Sequence, residues 1–144
     1  MRESPLEMSY AYIDVFTDSD WAGCLETRRS TDCYVAVLAG AIVQIGAQTQ
    51  PGLPATSSSD AEIRGASRGA REAIFLWDLG TLDFGLKISR PKLWTDSSAA
   101  MQAAKRIGPG SKVRHLDVSE FYIQGALQAK KLGIGKVKLL DEAS

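Results

Sequence analysis

Three acidic residues stand where the sequence is best suited to chemistry. Residues 15–19 (VFTDS) and 93–97 (LWTDS) repeat one pattern of apolar, aromatic, Thr, Asp and Ser, and each places an aspartate, Asp18 or Asp96, at the end of a predicted strand. If these strands are parallel neighbours, both aspartates reach the carboxyl edge of the sheet, where open α/β sheets bind ligands. Glu62, in the first turn of a predicted helix, is aimed inward and can join them. The spacing therefore predicts a cluster of three carboxylates.

Such a cluster favours a hard divalent cation. Carboxylates held close together repel one another and raise each other's pKa unless a cation neutralises their charge. Oxygen ligands without His or Cys favour Mg²⁺ or Mn²⁺ over zinc. Two such ions, about 4 Å apart, can activate a water and stabilise the leaving 3′ oxygen of a phosphodiester. The hypothesis is therefore metal-dependent phosphodiester hydrolysis.

Each acid also has a purely structural interpretation. Asp18 and Asp96 are suited to capping turns, and Asp96 to capping the helix that follows it. Glu62 stands three residues after Ser59, which is the spacing of a capping box, so its carboxylate can bind a free amide at the helix start. The repeated strand ending and the inward glutamate together favour the metal hypothesis.

Composition limits the class of protein. The chain has 144 residues, of which 44% are hydrophobic and 24% charged, and this fits one domain with a buried core. Cys24 and Cys33 are too few for a disulfide framework and lack zinc-site spacing. The sequence shows no signal peptide and no apolar run of membrane-spanning length. We expect a soluble domain that is not secreted and has no membrane partner.

Net charge gives no indication of a polyanion partner. Seventeen basic residues balance seventeen acidic ones. The second half is locally basic at 112–115 (KVRH) and 130–131 (KK), and a solvated helix face is the alternative interpretation of these charges.

The predicted elements follow the order βββαβααβ. Patterning and turn signals predict strands at 12–17, 34–38, 42–48, 92–95 and 135–140, and helices from 57–59 to about 79, at 97–106 and at 116–131. The alternation at 42–48 is typical of a half-exposed edge strand. One face of the first helix carries mostly small residues that allow close packing on a sheet: Glu62, Ala66, Gly69, Ala70, Ala73 and Trp77. Residues 1–9 are interpreted as a linker or ragged terminus.

Four blocks resemble one family. Residues 17–31 (TDSDWAGCLETRRST) are similar to the SDADWAGCxDTRRSTSGY signature that opens the ribonuclease H domain of copia-type retrotransposons. Residues 57–62 (SSSDAE) are similar to the family's SSTEAEY, residues 93–100 (LWTDSSAA) to LxxDNQSAI, and residues 114–118 (RHLDV) to KHIDI. The blocks occur in family order from about residue 12 to residue 140.

The resemblance implies an α/β ribonuclease H-like fold, a five-stranded mixed sheet with helices packed on it, over residues 10–144. It implies hydrolysis of the RNA strand of RNA–DNA hybrids within a reverse transcriptase or Pol polyprotein. The family's metal carboxylates fall on Asp18, Glu62 and Asp96, the same three that the spacing selects, and Asp20 is a candidate for a supporting role. We expect a monomeric isolated domain, with the reverse transcriptase portion as partner, in the cytoplasm within a virus-like particle and also in the nucleus.

Four further residues are candidates for substrate contact. Hybrid recognition in this fold depends on the shallow minor groove and the RNA 2′ hydroxyls rather than on base edges. Ser97 and Ser98 follow the Asp96 strand and are placed to touch the sugar–phosphate backbone, with helix capping as the alternative. Arg114 and His115 are candidates for phosphate contact. We expect weak sequence preference.

Departures from the family pattern keep other functions open. The family carries a fourth catalytic aspartate in a final helix, whereas this sequence stops at Ser144, so the domain is expected to lack that helix, and Asp141 is a poor substitute. The usual basic pair after the third strand is replaced by residues 47–48 (AQ), and Ile63 stands where the family has an aromatic residue. One alternative is an inactive nucleic-acid-binding or interaction module. A second is an integrase or other DNA-cutting nuclease on the same fold.

Overall fold

In the computed structural model, the strands and helices follow the predicted order βββαβααβ. The strands are β1 (Ile13–Asp20), β2 (Thr31–Leu38), β3 (Ala41–Thr49), β4 (Lys92–Thr95) and β5 (Gly133–Lys136). They form one mixed sheet in the order β3-β2-β1-β4-β5. The β1–β2 and β2–β3 pairs are antiparallel, whereas β1–β4 and β4–β5 are parallel. The predicted five-stranded mixed sheet is confirmed.

The structure describes residues 10–23, 25–106 and 114–137, without the side chains of 114–118 and 121. Several predicted features lie outside these residues: the linker at 1–9, the end of the last strand at 138–140, and Asp141. Within the described ranges, no helix is both long enough and apolar enough to cross a membrane.

The two repeated segments lie side by side. Strands β1 and β4 are parallel neighbours, with Phe16 opposite Trp94 and Thr17 opposite Thr95. The Phe16 and Trp94 rings stack with their centroids 6.3 Å apart and their planes inclined by 13°. Asp18 follows Thr17 directly, as Asp96 follows Thr95, and the shared register therefore brings both aspartates to the same level of the sheet edge.

Three helices pack beside the sheet. They are α1 (Ser58–Asp78), which continues as a π-helical turn at Leu79–Asp83, α2 (Ser98–Lys105) and α3 (Arg114–Gln128). The Ser57 hydroxyl caps α1 by accepting a hydrogen bond from the Asp60 amide at 3.1 Å, and the Asp60 carboxylate accepts one from the Thr56 amide at 2.9 Å. The capping role that the sequence left open for Glu62 is therefore carried by Ser57 and Asp60.

The predicted small-residue face of α1 does pack closely on the sheet. Ala66, Ala70 and Ala73 are at most 1% exposed and belong to the main hydrophobic core. A methyl group at Gly69 would overlap Thr17 and come within 2.9 Å of Leu93. This close approach is what holds the start of α1, and with it Glu62, over the junction of β1 and β4.

Most predicted boundaries differ from the observed ones by a few residues. Strand β1 extends to Asp20 because Asp18, Ser19 and Asp20 pair with residues 31–33 of β2. The predicted second strand began at residue 34 and missed that pairing. The predicted edge position of β3 is confirmed, since it has one neighbour, and Ile45 on its outer face is 68% exposed.

Candidate metal centre

The three predicted carboxylates meet at one edge of the sheet. Asp18, Glu62 and Asp96 each offer a carboxylate oxygen, and these oxygens all lie within 4.8 Å of one another. Asp18 and Asp96 are exposed to solvent, whereas Glu62 is half-buried. The structure thus brings together, from two parallel strands and one covering helix, the groups that the sequence selected.

Local hydrogen bonds hold the strand ends in place. The Ser19 amide donates to Asp18 Oδ1 at 2.9 Å. The Thr17 hydroxyl donates across the sheet to the Trp94 carbonyl at 3.4 Å, and the Ser97 amide donates to Thr95 Oγ1 at 3.1 Å. Thr17 therefore ties the end of β1 to β4, and Thr95 ties the end of β4 to the turn that precedes α2.

The cluster is electrostatically strained without a cation. Burial, and then the negative charges of nearby aspartates, raise the pKa of Glu62 from 4.5 to about 7. In order of decreasing effect those aspartates are Asp96, Asp18 and Asp32. Carboxylates that disfavour each other's charge in this way fit a divalent cation with a preference for oxygen ligands, which is the chemistry of Mg²⁺ or Mn²⁺.

A fourth acid, Asp32, lies behind the cluster and was missed by the sequence prediction. It is 3% exposed, and its Oδ1 accepts hydrogen bonds from the Ser19 hydroxyl at 2.9 Å and from the Gln50 amide. Burial raises the pKa of Asp32. The sequence did carry a signal for its position, since Asp32 stands on the same strand face as Tyr34 and Ala36. The structure buries all three. Asp32 is therefore placed to orient Ser19 beside Asp18.

Ser97 and Ser98, two of the predicted substrate residues, lie at the start of α2. Ser97 caps α2 by accepting from the Ala100 amide at 3.1 Å, so the capping alternative applies to it and Asp96 is not the cap. Ser98 is exposed and accepts a hydrogen bond from Lys136 Nζ at 2.7 Å. Lys136, which closes β5, is thereby placed near the rim that carries Asp96.

Of the remaining predicted site residues, the structure describes the side chain of Asp20 alone. Asp20 is exposed at the end of β1 and does not belong to the carboxylate group. Arg114 and His115 begin α3, but their side chains lie outside the described part of the chain, as does Asp141. Their roles stay predictions.

Comparison with known proteins gives three retrovirus-related Pol polyproteins that match over most of the chain, and an uncharacterised mitochondrial protein of Arabidopsis thaliana that is 40% identical over 60 residues. No protein-family model matches the chain. The retrovirus-related Pol polyprotein from transposon RE1 of Arabidopsis thaliana is 24% identical over 131 residues, which are 90% of this chain and 9% of that polyprotein. The homologues of this chain are Pol polyproteins of copia-type retrotransposons. The chain spans about a tenth of the length of these copia-type polyproteins.

Solved structures share the fold. LC11-RNase H1, isolated from compost by a metagenomic approach and solved in complex with RNA/DNA hybrid, has a TM-score of 0.60 at 13% identity, over 91% of this chain and 88% of that one. Prototype foamy virus protease-reverse transcriptase has a TM-score of 0.57 at 11% identity, over 94% of this chain and 18% of that one. At such identities the likeness shows the fold alone, and the fold is ribonuclease H-like, as the sequence motifs predicted.

Proposed function

We propose that this chain hydrolyses the RNA strand of RNA–DNA hybrids as the ribonuclease H portion of a retrotransposon Pol polyprotein. The observation that carries the proposal is the meeting of Asp18, Glu62 and Asp96 at the carboxyl edge of a ribonuclease H-like sheet. The copia-type homologues support the polyprotein context. The same fold occurs in the solved structure of prototype foamy virus protease-reverse transcriptase. This supports a reverse transcriptase portion as the partner of this chain.

The three carboxylates are the groups that would hold divalent metal. When bound there, two Mg²⁺ or Mn²⁺ ions would supply an activated water and charge stabilisation at the leaving 3′ oxygen. The protein's own contribution is to fix three negatively charged oxygens before substrate arrives. Close packing at Gly69 and the tied ends of β1 and β4 provide that rigidity.

Substrate contact is proposed for the rim beside Asp96. Ser98 and Lys136 form an exposed pair there, and a lysine next to a hydroxyl is suited to a sugar–phosphate backbone. A hybrid offers a shallow minor groove with RNA 2′ hydroxyls, which short polar side chains can read without base contacts. LC11-RNase H1 was solved with such a hybrid, which supports this choice of substrate.

Cleavage of matched substrates tests the proposal. The purified chain would be incubated with end-labelled RNA–DNA hybrid, double-stranded DNA or double-stranded RNA, in Mg²⁺, in Mn²⁺ and in EDTA. We expect internal cuts in the RNA of the hybrid alone, lost in EDTA. Asp96→Asn should reduce the rate at least about a hundredfold, since each ligand of a catalytic metal is worth several kcal/mol. The exposed Asp78→Asn, distant in sequence from the cluster, is the matched control and should keep full activity.

Other outcomes have distinct meanings. Hybrid binding without cutting in either metal would support the inactive binding module instead. Cutting of double-stranded DNA would support the nuclease of the integrase kind. Cutting of the hybrid by Asp96→Asn at the rate of the unmodified chain would refute the assignment of the site.

A further inference from the structure

A second polar site lies beside α1, away from the metal centre. A cavity of about 310 Å³ opens between α1, α3 and the β3 side of the sheet. We name it the arginine cavity, and the residues that decide its chemistry are Arg64, Ser67, Arg68, Arg71, Gln50 and Asp32. Its lining includes none of the three clustered carboxylates. It is therefore a separate site.

The Arg68 guanidinium lies over an aromatic ring, and one of its nitrogens has no hydrogen-bond acceptor. Its guanidinium carbon lies 5.1 Å from the centroid of the Tyr34 ring. A methyl group at Gly46 would overlap that ring, so the glycine is what allows Tyr34 to lie under the arginine. Arg68 Nη1 is buried without a hydrogen-bond partner. Buried charged donors are costly unless they are paired, so this nitrogen marks a position for a ligand oxygen.

Two neutral side chains in the same cavity are also incompletely bonded. Ser67 and Gln50 are each 2% exposed, and Ser67 Oγ and Gln50 Oε1 are buried without partners. The Gln50 amide nitrogen is already used, since it donates to Asp32 and to the Ala61 carbonyl. Buried polar atoms are almost always bonded to protein, water or ligand. The cavity therefore offers donors from Ser67 and Arg68 and one acceptor from Gln50.

The charge of the cavity favours an anion. Arg64 is neutralised by Asp60, with Nε and Oδ1 2.9 Å apart, and this is the one ion pair among the described residues. Arg71 packs over the Tyr122 ring at 5.0 Å. Arg68 and Arg71 thus lie over aromatic rings and neither forms an ion pair within 4.0 Å among the described residues, although Arg68 also interacts with the negative charge of Asp32.

We propose that the arginine cavity binds a phosphate group. Arg68 and Arg71 supply positive charge and the planar donors that suit phosphate oxygens. Ser67 donates to a third oxygen, and Gln50 Oε1 can accept from the P–OH group of inorganic phosphate or a phosphate monoester, a proton that a phosphodiester does not have. Asp32 is the one acid among the described lining residues, and its Oδ1 already accepts hydrogen bonds from Ser19 and Gln50. A volume of about 310 Å³ exceeds that of a water molecule about tenfold and admits a tetrahedral anion.

Calorimetric titration with inorganic phosphate, at low ionic strength and in EDTA, tests the site. The unmodified chain should bind phosphate saturably. Arg68→Gln and Arg71→Gln should each weaken binding at least about tenfold, because each removes charge-assisted hydrogen bonds. Arg90→Gln, which removes the same charge from an exposed position before β4, should bind as the unmodified chain does. Arg68→Lys keeps the charge and should lose less affinity than Arg68→Gln.

A second arm identifies the source of the phosphate. The same variants would be titrated with RNA–DNA hybrid in EDTA, where no cleavage occurs. Parallel losses of phosphate and hybrid affinity would assign the cavity to the nucleic-acid backbone. A loss of phosphate affinity with hybrid affinity unchanged would assign it to a free phosphate or phosphate monoester.

Three results would overturn the proposal. They are no saturable phosphate binding by the folded unmodified chain, an equal loss in Arg90→Gln, and preference for a glutamate-rich peptide over phosphate. Circular dichroism of each variant checks the fold, and Arg71→Gln, at an exposed residue, tests the site even if Arg68→Gln unfolds. Because the titrations need no catalytic metal, they can fail while the proposed cleavage activity stands, and the reverse also holds.

Discussion

Replacing Glu62 by glutamine should stabilise the metal-free protein by an amount that grows as pH rises from about 4.5 to about 7 and then stays constant. In the folded state the pKa of Glu62 is raised from 4.5 to about 7. Between those values the folded state holds a proton that the unfolded state has released. The free energy of unfolding is therefore highest below about pH 4.5 and falls as pH rises through about 7. A glutamine keeps the shape of the side chain and cannot ionise.

The size of the effect follows from the same pKa. A rise from 4.5 to about 7 costs the folded state up to about 3 kcal/mol at pH 8. Glu62 is only half-buried, and solvent screening reduces this to roughly 1–2 kcal/mol. For a domain of this length that is a rise of roughly 3–8 °C in Tm. The gain should shrink to less than about 1 kcal/mol at pH 5.

Urea and thermal unfolding in EDTA, at pH 5 and pH 8, measure this difference. Glu26→Gln is the matched control, because Glu26 is exposed in the loop between β1 and β2 and should give no change at either pH. Mg²⁺ added at pH 8 should raise the Tm of the unmodified chain and leave that of Glu62→Gln nearly unchanged. A Glu62→Gln variant that is destabilised at pH 8, or stabilised equally at both pH values, would refute the electrostatic reasoning.

Four further substitutions, of which Gly125→Ala is a control, test the packing and the helix cap that position the site, each by urea unfolding unless stated. Gly69→Ala should destabilise the fold by about 1–3 kcal/mol because the added methyl group overlaps Thr17. Gly125→Ala, where α3 faces open space, should stabilise it by about 0.5–1 kcal/mol. Equal effects of the two substitutions would contradict the close packing at Gly69. Leu93→Ala, at a fully buried position, should cost about 2–5 kcal/mol, and a cost below about 1 kcal/mol would argue against its place in the core. Ser57→Ala should cost about 1 kcal/mol and increase hydrogen exchange in the first turn of α1, and unchanged exchange there would contradict the cap.

The carboxylate cluster could be predicted from sequence because the local pattern determines it. The repeated endings at 15–19 and 93–97 required only that two strands be parallel neighbours, and the register of β1 with β4 confirms this. Glu62 followed from helical spacing alone, since the small residues that share its face fix how α1 meets the sheet.

Features that depend on pairing over distance could not be predicted in this way. Local propensity ends the first strand before Asp18, because an acidic run is typical of a turn, yet pairing with residues 31–33 extends β1 to Asp20. That extension is what brings Asp32 under the cluster. The arginine cavity could not be predicted from sequence either. The position of the Arg68 side chain depends on Tyr34 in β2 and Gly46 in β3, and not on its neighbours in α1.

Anomalous diffraction from crystals soaked in Mn²⁺ would test the central claim most directly. We predict a manganese peak within coordination distance of the carboxylates of Asp18, Glu62 and Asp96, lost in Asp96→Asn crystals grown under the same conditions. Millimolar Mn²⁺ giving no peak between these side chains, or a peak that persists in Asp96→Asn, would contradict the assignment of a catalytic metal site to this edge of the sheet.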